Sequence, residues 1–167
     1  GYFYQSQRPN ELQVEDGETD FFGAERAEHR ILGLERTFTA RKASWELRLE
    51  AYQRSVEDVR PRFENVFQTF VLNPETANDR IQIAPEAAEA QGAELFLKRR
   101  GGGTFDWSIN YGWSESTDTL DGREVLRSTD QTHAVNLGAS WRPTPRWSFN
   151  AVWTYHTGWP TTPVSAA

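Results

Sequence analysis

Apolar and polar residues trade places along much of this chain with a period of two, the mark of a strand with one face buried or otherwise kept from water. In Thr104–Ser114, Phe105, Trp107, Ile109, Tyr111 and Trp113 fall on one face, with Asp106, Ser108, Asn110, Gly112 and Ser114 on the other. A helix, with its repeat of about 3.6 residues, cannot segregate them this way. Trp147, Phe149, Ala151, Trp153 and Tyr155 oppose Ser148, Asn150, Val152, Thr154 and His156, with Val152 the one slip. Val135, Leu137, Ala139 and Trp141 alternate with Ala134, Asn136, Gly138, Ser140 and Arg142.

The first half carries the same arrangement in a more charged form. Trp45, Leu47, Leu49 and Ala51 are set against Glu46, Arg48, Glu50 and Tyr52. Leu32, Leu34 and Phe38 share a face that Arg36 interrupts, and Gly33 and Glu35 share the opposite one. Ala93, Leu95 and Leu97 oppose Gly92, Glu94 and Lys98, with Phe96 out of place.

The links between these runs alternate in length. Short turns are expected at 40–43, 99–103 and 142–146, where Pro143 and Pro145 remove backbone donors and end pairing. Gly101-Gly102-Gly103 reads as part of such a turn, and the basic run Lys98-Arg99-Arg100 beside it as solvated. Long polar links cover 8–23, 56–85 and 115–130. The pattern predicts an all-β, antiparallel up-and-down meander of about seven strands, over 1–7, 24–40, 44–55, 87–99, 104–115, 131–142 and 146–157. Links that run long, short, long, short put tight turns at one end and loops at the other, as outer-membrane barrels do. Most of the strands exceed the ~9–11 residues that a tilted strand needs to cross a bilayer.

Composition supports surfaces over a deep core: the hydrophobic fraction is 37%, while the aromatic fraction is 13% and includes 7 Trp. No apolar run reaches the ~18 residues of a membrane helix. A bilayer accepts strands only as a closed sheet with an apolar outside, and Trp and Tyr favour its two interfaces. Trp45, Phe105, Trp141 and Trp147 beside the short turns, and Trp113, Trp153 and Tyr155 toward the opposite ends, are the expected girdles. The soluble alternative is an antiparallel sandwich, whose cores favour Val, Ile and Leu and whose strands are shorter. A net charge of −6 argues against nucleic acid, which needs a basic face. Without Cys there is no disulfide framework, and a start at Gly1-Tyr2-Phe3 with no Met reads as a segment of a longer polypeptide.

Ser6-Gln7-Arg8-Pro9-Asn10-Glu11-Leu12, followed by Ala24-Glu25-Arg26-Ala27-Glu28-His29 and Gly33-Leu34-Glu35, resembles the strand-loop-strand pattern of later barrel strands in TonB-dependent receptors. Gly92-Ala93-Glu94-Leu95 resembles the same element one hairpin on. Thr129-Asp130-Gln131-Thr132-His133 leading into Trp141-Arg142-Pro143 is similar to a third, and Tyr155-His156-Thr157-Gly158-Trp159-Pro160 is also similar to such barrels. The resemblance covers nearly the whole chain and implies that 1–167 is part of a barrel of about 22 strands. It implies an N-terminal plug in the lumen and import of scarce nutrients such as siderophore-bound iron, cobalamin or glycans. Its partners would be outer-membrane lipid, the remaining strands and plug of the same chain, a small-molecule or metal-chelate ligand, and the TonB complex acting through the plug. Plug, coupling segment and a last strand with a terminal aromatic are absent from a sequence that stops at Pro163-Val164-Ser165-Ala166-Ala167. The remaining function classes are a passive porin and a secreted carbohydrate-binding sandwich.

Several residues are candidates for the chemistry. Glu46, Arg48, Glu50 and Arg54, with Asn110, Asn150 and His156, would line a wet lumen or substrate path, the charges also forming a mutually screened ladder. Arg60 and Arg62 in a long link could hold an anionic ligand such as a ferric chelate, with a solvated loop the favoured reading. His156 has no neighbour at metal-ligand spacing, and neither Asp16, Glu18 and Asp20 nor Asp118 and Asp121 match a calcium loop. No cofactor, metal site or catalytic set is expected, and the chain does not read as an enzyme.

Overall fold

The computed structural model describes residues 1–66, 72–76 and 78–160. Ten strands follow in chain order: β1 Tyr2–Gln5, β2 Glu25–Ala40, β3 Ala43–Glu57, β4 Arg62–Asn65, β5 Arg80–Ile83, β6 Ala87–Arg100, β7 Phe105–Leu120, β8 Arg123–Leu126, β9 His133–Thr144 and β10 Trp147–His156. Single 3-10 turns at Pro9–Glu11, Val14–Asp16 and Pro74–Thr76 are the only helical segments among the described residues. The architecture is all-β.

Seven strands form one antiparallel meander sheet in the order β1-β2-β3-β6-β7-β9-β10, with β8 folded back onto β7. Each strand lies next to its successor in the meander, as short connections and period-two patterning require. Strands β2, β3, β6 and β7 hold 16, 15, 14 and 16 residues, far beyond the usual ~5–6. The chain divides into two compact units: Gly1–His29, Arg54–Glu89 and Thr117–Val125 make the first, and Arg30–Gln53, Ala90–Ser116 and Leu126–Ala167 the second.

The second unit contains the three short turns. Arg41 and Lys42 connect β2 to β3 with φ of 49° and 62°, the doubly left-handed backbone of a tight hairpin. Gly101 and Gly102, at φ of 76° and 77°, turn β6 into β7. Pro145 and Arg146 join β9 to β10. The expectation that Pro143 ends pairing is corrected, since β9 runs through it to Thr144. Thr144 pairs with Trp147 and Trp141 with Phe149, so two residues of β9, Arg142 and Pro143, face one of β10. A bulge of this kind leaves a proline without an amide obligation.

Three further expectations are corrected. The link over 56–85 is not wholly irregular: β4 and β5 pair antiparallel as a separate two-stranded sheet, with Arg62 opposite Ile83 and Asn65 opposite Arg80. The link over 115–130 is shorter than expected, because β7 continues to Leu120 and β8 returns along it. Asp121 and Gly122, at φ of 51° and 68°, form that turn. The first strand ends at Gln5 instead of residue 7. The terminal stretch Pro163–Ala167 lies outside the described residues.

Buried apolar residues are few and small. Among the described residues they include Ala27, Val56, Val59 and Ala88, which cluster in the first unit, and Ala43 in the second. Among the described residues no large side chain is fully buried, and most of the aromatic rings stay well exposed. A soluble domain of this size ordinarily hides its large apolar groups. This sheet displays them.

Candidate functional site

The second unit presents two chemically opposed faces, and the pairing register shows how they are built. Residues directly opposite one another in an antiparallel pair carry their side chains on the same face. Phe105, Trp141 and Phe149 form one cross-strand row, Ile109, Leu137 and Trp153 another, and Tyr111, Val135 and Tyr155 a third. Each row is apolar across β7, β9 and β10. The alternate rows are polar or small, with Val152 the exception: Asp106, Ser140 and Asn150; Ser108, Gly138 and Val152; Asn110, Asn136 and Thr154; Gly112, Ala134 and His156. Toward β2 the apolar face continues as an open depression lined by Leu32, Leu34, Leu49, Ala51, Leu95 and Tyr111.

The aromatics of this face contact each other. Trp45 stacks on Phe38 at 6.2 Å and meets Trp107 edge-on at 5.7 Å. Trp141 lies 5.6 Å from Phe149, which stacks on Trp147 at 6.0 Å, and Trp153 stacks on Tyr155. All of these rings gain offset or edge-to-face contacts while remaining open to their surroundings. Trp147 is 63% exposed, Trp153 52% and Trp141 48%. Trp113 is level with His133, and His133 Nδ1 lies 3.0 Å from the Tyr111 hydroxyl. Trp153 sits opposite Leu137, in the middle of the paired block, while Tyr155 is one row nearer its far end.

On the polar face Arg48 is the centre of a small ion network. Its guanidinium reaches Glu46 at 2.5 Å and Glu35 at 3.5 Å. It also lies 5.5 Å from the centre of the Phe96 ring, so the one aromatic out of phase in β6 is covered by a cation. Glu50 and Arg54 are exposed further along β3. Asn110 is level with Asn136, whose side-chain oxygen accepts from the Thr154 hydroxyl at 3.0 Å. His156 Nδ1 lies 3.1 Å from the Thr157 carbonyl oxygen and 3.3 Å from Gln131 Nε2. Asn150 borders a depression of about 560 Å³ whose mixed lining includes Lys98, Arg100 and Arg142 beside Trp107 and Val152. The alternation places Asn150, Lys98 and Arg142 on the polar faces of their own strands but does not bring them together, because their convergence depends on register between strands.

With this geometry in view, the chain can be set against known proteins. No family, no curated protein and no solved structure matches it.

In the first unit Arg60 and Arg62, the candidates for an anionic ligand, have carboxylate partners within the chain. Arg60 Nη1 donates to Glu11 Oε2 at 3.1 Å, and its backbone N–H donates to Glu25 Oε1. Arg62 Nη2 donates to buried Asp118 at 2.7 Å, and Arg62 also pairs with Glu64. Burial pulls the Arg62 pKa down, but hydrogen bonds to Glu64 and Asp118 outweigh it and hold the guanidinium above its ordinary value. The backbone N–H of Arg8, with help from Arg60, holds the Glu11 carboxyl below the usual carboxylate range. Both arginines therefore fasten links to one another.

The candidate calcium carboxylates are also engaged. Asp16 takes two hydrogen bonds from Arg80, at 2.6 and 2.5 Å, and Glu18 accepts from Gln7 and from the backbone of Gln13. Thr19 donates to Asp20, and Asp121 is a turn residue. No group of three or more ligating side chains among the described residues is arranged to hold a metal ion.

Proposed function

We propose that this chain is wall from a transmembrane β-barrel of the bacterial outer membrane, and that the barrel is a TonB-dependent nutrient importer of the siderophore-iron, cobalamin or glycan class. The observation that carries the membrane part is the continuous apolar face of the second unit, exposed row after row, backed by a polar face. Hydrocarbon on one side and water on the other is the environment that asks for both at once.

Dimensions agree with this reading. From Phe105 to Trp113 the apolar face of β7 runs eight steps, about 27 Å at ~3.4 Å per residue. At a strand tilt of about 40° that covers roughly 20 Å, near the ~25 Å apolar band of such barrels. One sheet in sequence order is also how barrels are wound, whereas a sandwich divides its strands between two sheets. Edge strands β1 and β10 have no outer neighbour among the described residues, which suits strands that continue a larger wall. The importer part rests on the resemblance of the quoted motifs and on the long links, whose ion pairs give them defined form.

Indole fluorescence tests the membrane part. The chain refolded from detergent into vesicles whose acyl chains carry bromine should lose most of its Trp emission, while aqueous iodide quenches little. Strong iodide quenching without bromine quenching refutes it. The reading frame upstream tests the importer part: a plug-length domain supports it, and a signal peptide running straight into strands replaces it with a porin.

A further inference from the structure

The geometry points to a cationic collar, formed by the three short turns of the second unit, that docks on anionic phospholipid headgroups. The proposal rests on the membrane reading above and adds the lipid class at one end of the wall.

The charge distribution is the first observation. The chain is acidic, with 24 Asp and Glu against 18 Lys and Arg. Yet the turn joining β2 to β3 carries Arg41 and Lys42, the turn joining β6 to β7 is preceded by Lys98, Arg99 and Arg100, and the turn joining β9 to β10 is flanked by Arg142 and includes Arg146. The acid beside them is Asp106, which accepts from Arg142 at 2.6 Å and from the Gly101 backbone at 2.6 Å. Arg41, Lys42 and Arg146 are exposed, and no ion pair among the described residues engages them.

Contact between the turns is the second. A Cβ placed on Gly102 would lie 3.1 Å from Ala43 and from the Lys42 carbonyl carbon, so the first two turns touch. The Arg142 backbone N–H donates to the Thr104 carbonyl oxygen at 2.7 Å, which joins the second to the third. Three turns far apart in sequence therefore make one basic surface. Position is the third observation. The rings of Trp45, Phe105, Trp141 and Trp147 start within a few residues of these turns, at the level where amphipathic rings meet headgroups. Cations just beyond an aromatic girdle reach lipid phosphates while their stems cover apolar surface. A phospholipid leaflet is the partner that supplies anions and an apolar layer together, whereas an acidic protein segment supplies only the charge.

Lipid titration of the full chain, followed by Trp emission, tests this. Vesicles of phosphatidylcholine alone are compared with vesicles that also contain phosphatidylglycerol. The chain should partition more tightly onto the anionic vesicles at low salt, with the difference disappearing at high salt. Arg41→Asn with Lys42→Asn removes two charges and leaves a residue type that accepts the left-handed backbone. The anionic preference should fall about fivefold per charge, and partition onto neutral vesicles should not change. Arg146→Gln, in a separate turn, should lose about fivefold alone. Equal partition of the unmodified chain, or full preference in both variants, overturns the collar. Soluble polyglutamate that binds the micellar chain as tightly as the anionic vesicles do overturns it in favour of a protein partner. A chain that enters neither kind of vesicle refutes the membrane reading itself.

Discussion

Tyr52 lies so close over Gly92 that a Cβ on the glycine would fall 2.5 Å from the tyrosine hydroxyl oxygen and 2.7 Å from the Trp113 carbonyl oxygen. The two residues stand on neighbouring strands, β3 and β6, and the phenol fills the notch left by the missing side chain. On a sheet with so little buried volume, such a joint replaces a core contact in fixing how two strands meet. Gly92 is thus selected by space, since its φ lies outside the left-handed region.

Replacing Gly92 with alanine should destabilise the refolded chain in detergent by about 1–3 kcal/mol, the usual cost of forcing a methyl into a filled site. Gly112→Ala is the control, since a Cβ there meets nothing within 4 Å. Denaturant titration of both variants measures the difference, and adding Tyr52→Ala to Gly92→Ala should recover part of the loss.

Asp118→Ala should loosen the first unit. Its carboxylate is buried and holds Arg62, which would be left partly buried beside Glu64 alone. Because Arg62 is about one quarter exposed, the expected loss is about 1–3 kcal/mol, below that of a fully buried pair. Faster limited proteolysis within 56–85, with strand content unchanged, is the expected readout.

Acid should release the link over 8–23 before the sheet. The folded pKa of Glu11 is depressed, so its contribution is present above the unfolded value and disappears as pH falls through the lower folded value. The protection of the Arg8 amide and its neighbours against hydrogen exchange, relative to the unstructured rate at the same pH, should therefore fall across that acidic window. Glu11→Gln should exchange rapidly at neutral pH and lose this pH dependence.

A charge should be costly on one face and cheap on the other. Leu137→Arg should destabilise the lipid-reconstituted chain by about 2–4 kcal/mol if its row lies near the bilayer midplane, and Asn136→Arg by less than about 1 kcal/mol. Reversible unfolding in vesicles compares the adjacent pair.

The long strands were legible because period two runs through β3, β7, β9 and β10, with Val152 a slip in β10, and each stretch has one dominant apolar face. β4, β5 and β8 were not. They are four residues each; β4 and β5 form where Arg62, Asn65 and Arg80 find partners remote in sequence, and β8 folds back on β7 through the tight turn at Asp121-Gly122. Asp121-Gly122 did carry a hairpin signal, hidden by treating Asp121 as one carboxylate among many. Pro143 was misread because a bulge excuses a proline that a regular ladder would not accept. Arg60 and Arg62 looked available for a ligand, since a sequence shows cations but not the carboxylates that fold onto them. The Tyr52–Gly92 joint and the basic depression near Asn150 depend on register between strands, which alternation alone does not fix.

The most direct measurement uses the absence of cysteine. Single cysteines at Ile109, Leu137, Asn110 and Asn136 in the vesicle-reconstituted chain are treated with a membrane-impermeant maleimide. The account predicts slow labelling at Ile109 and Leu137 and fast labelling at Asn110 and Asn136. Fast labelling at all four, or fast labelling at the apolar pair with protection of the asparagines, contradicts it.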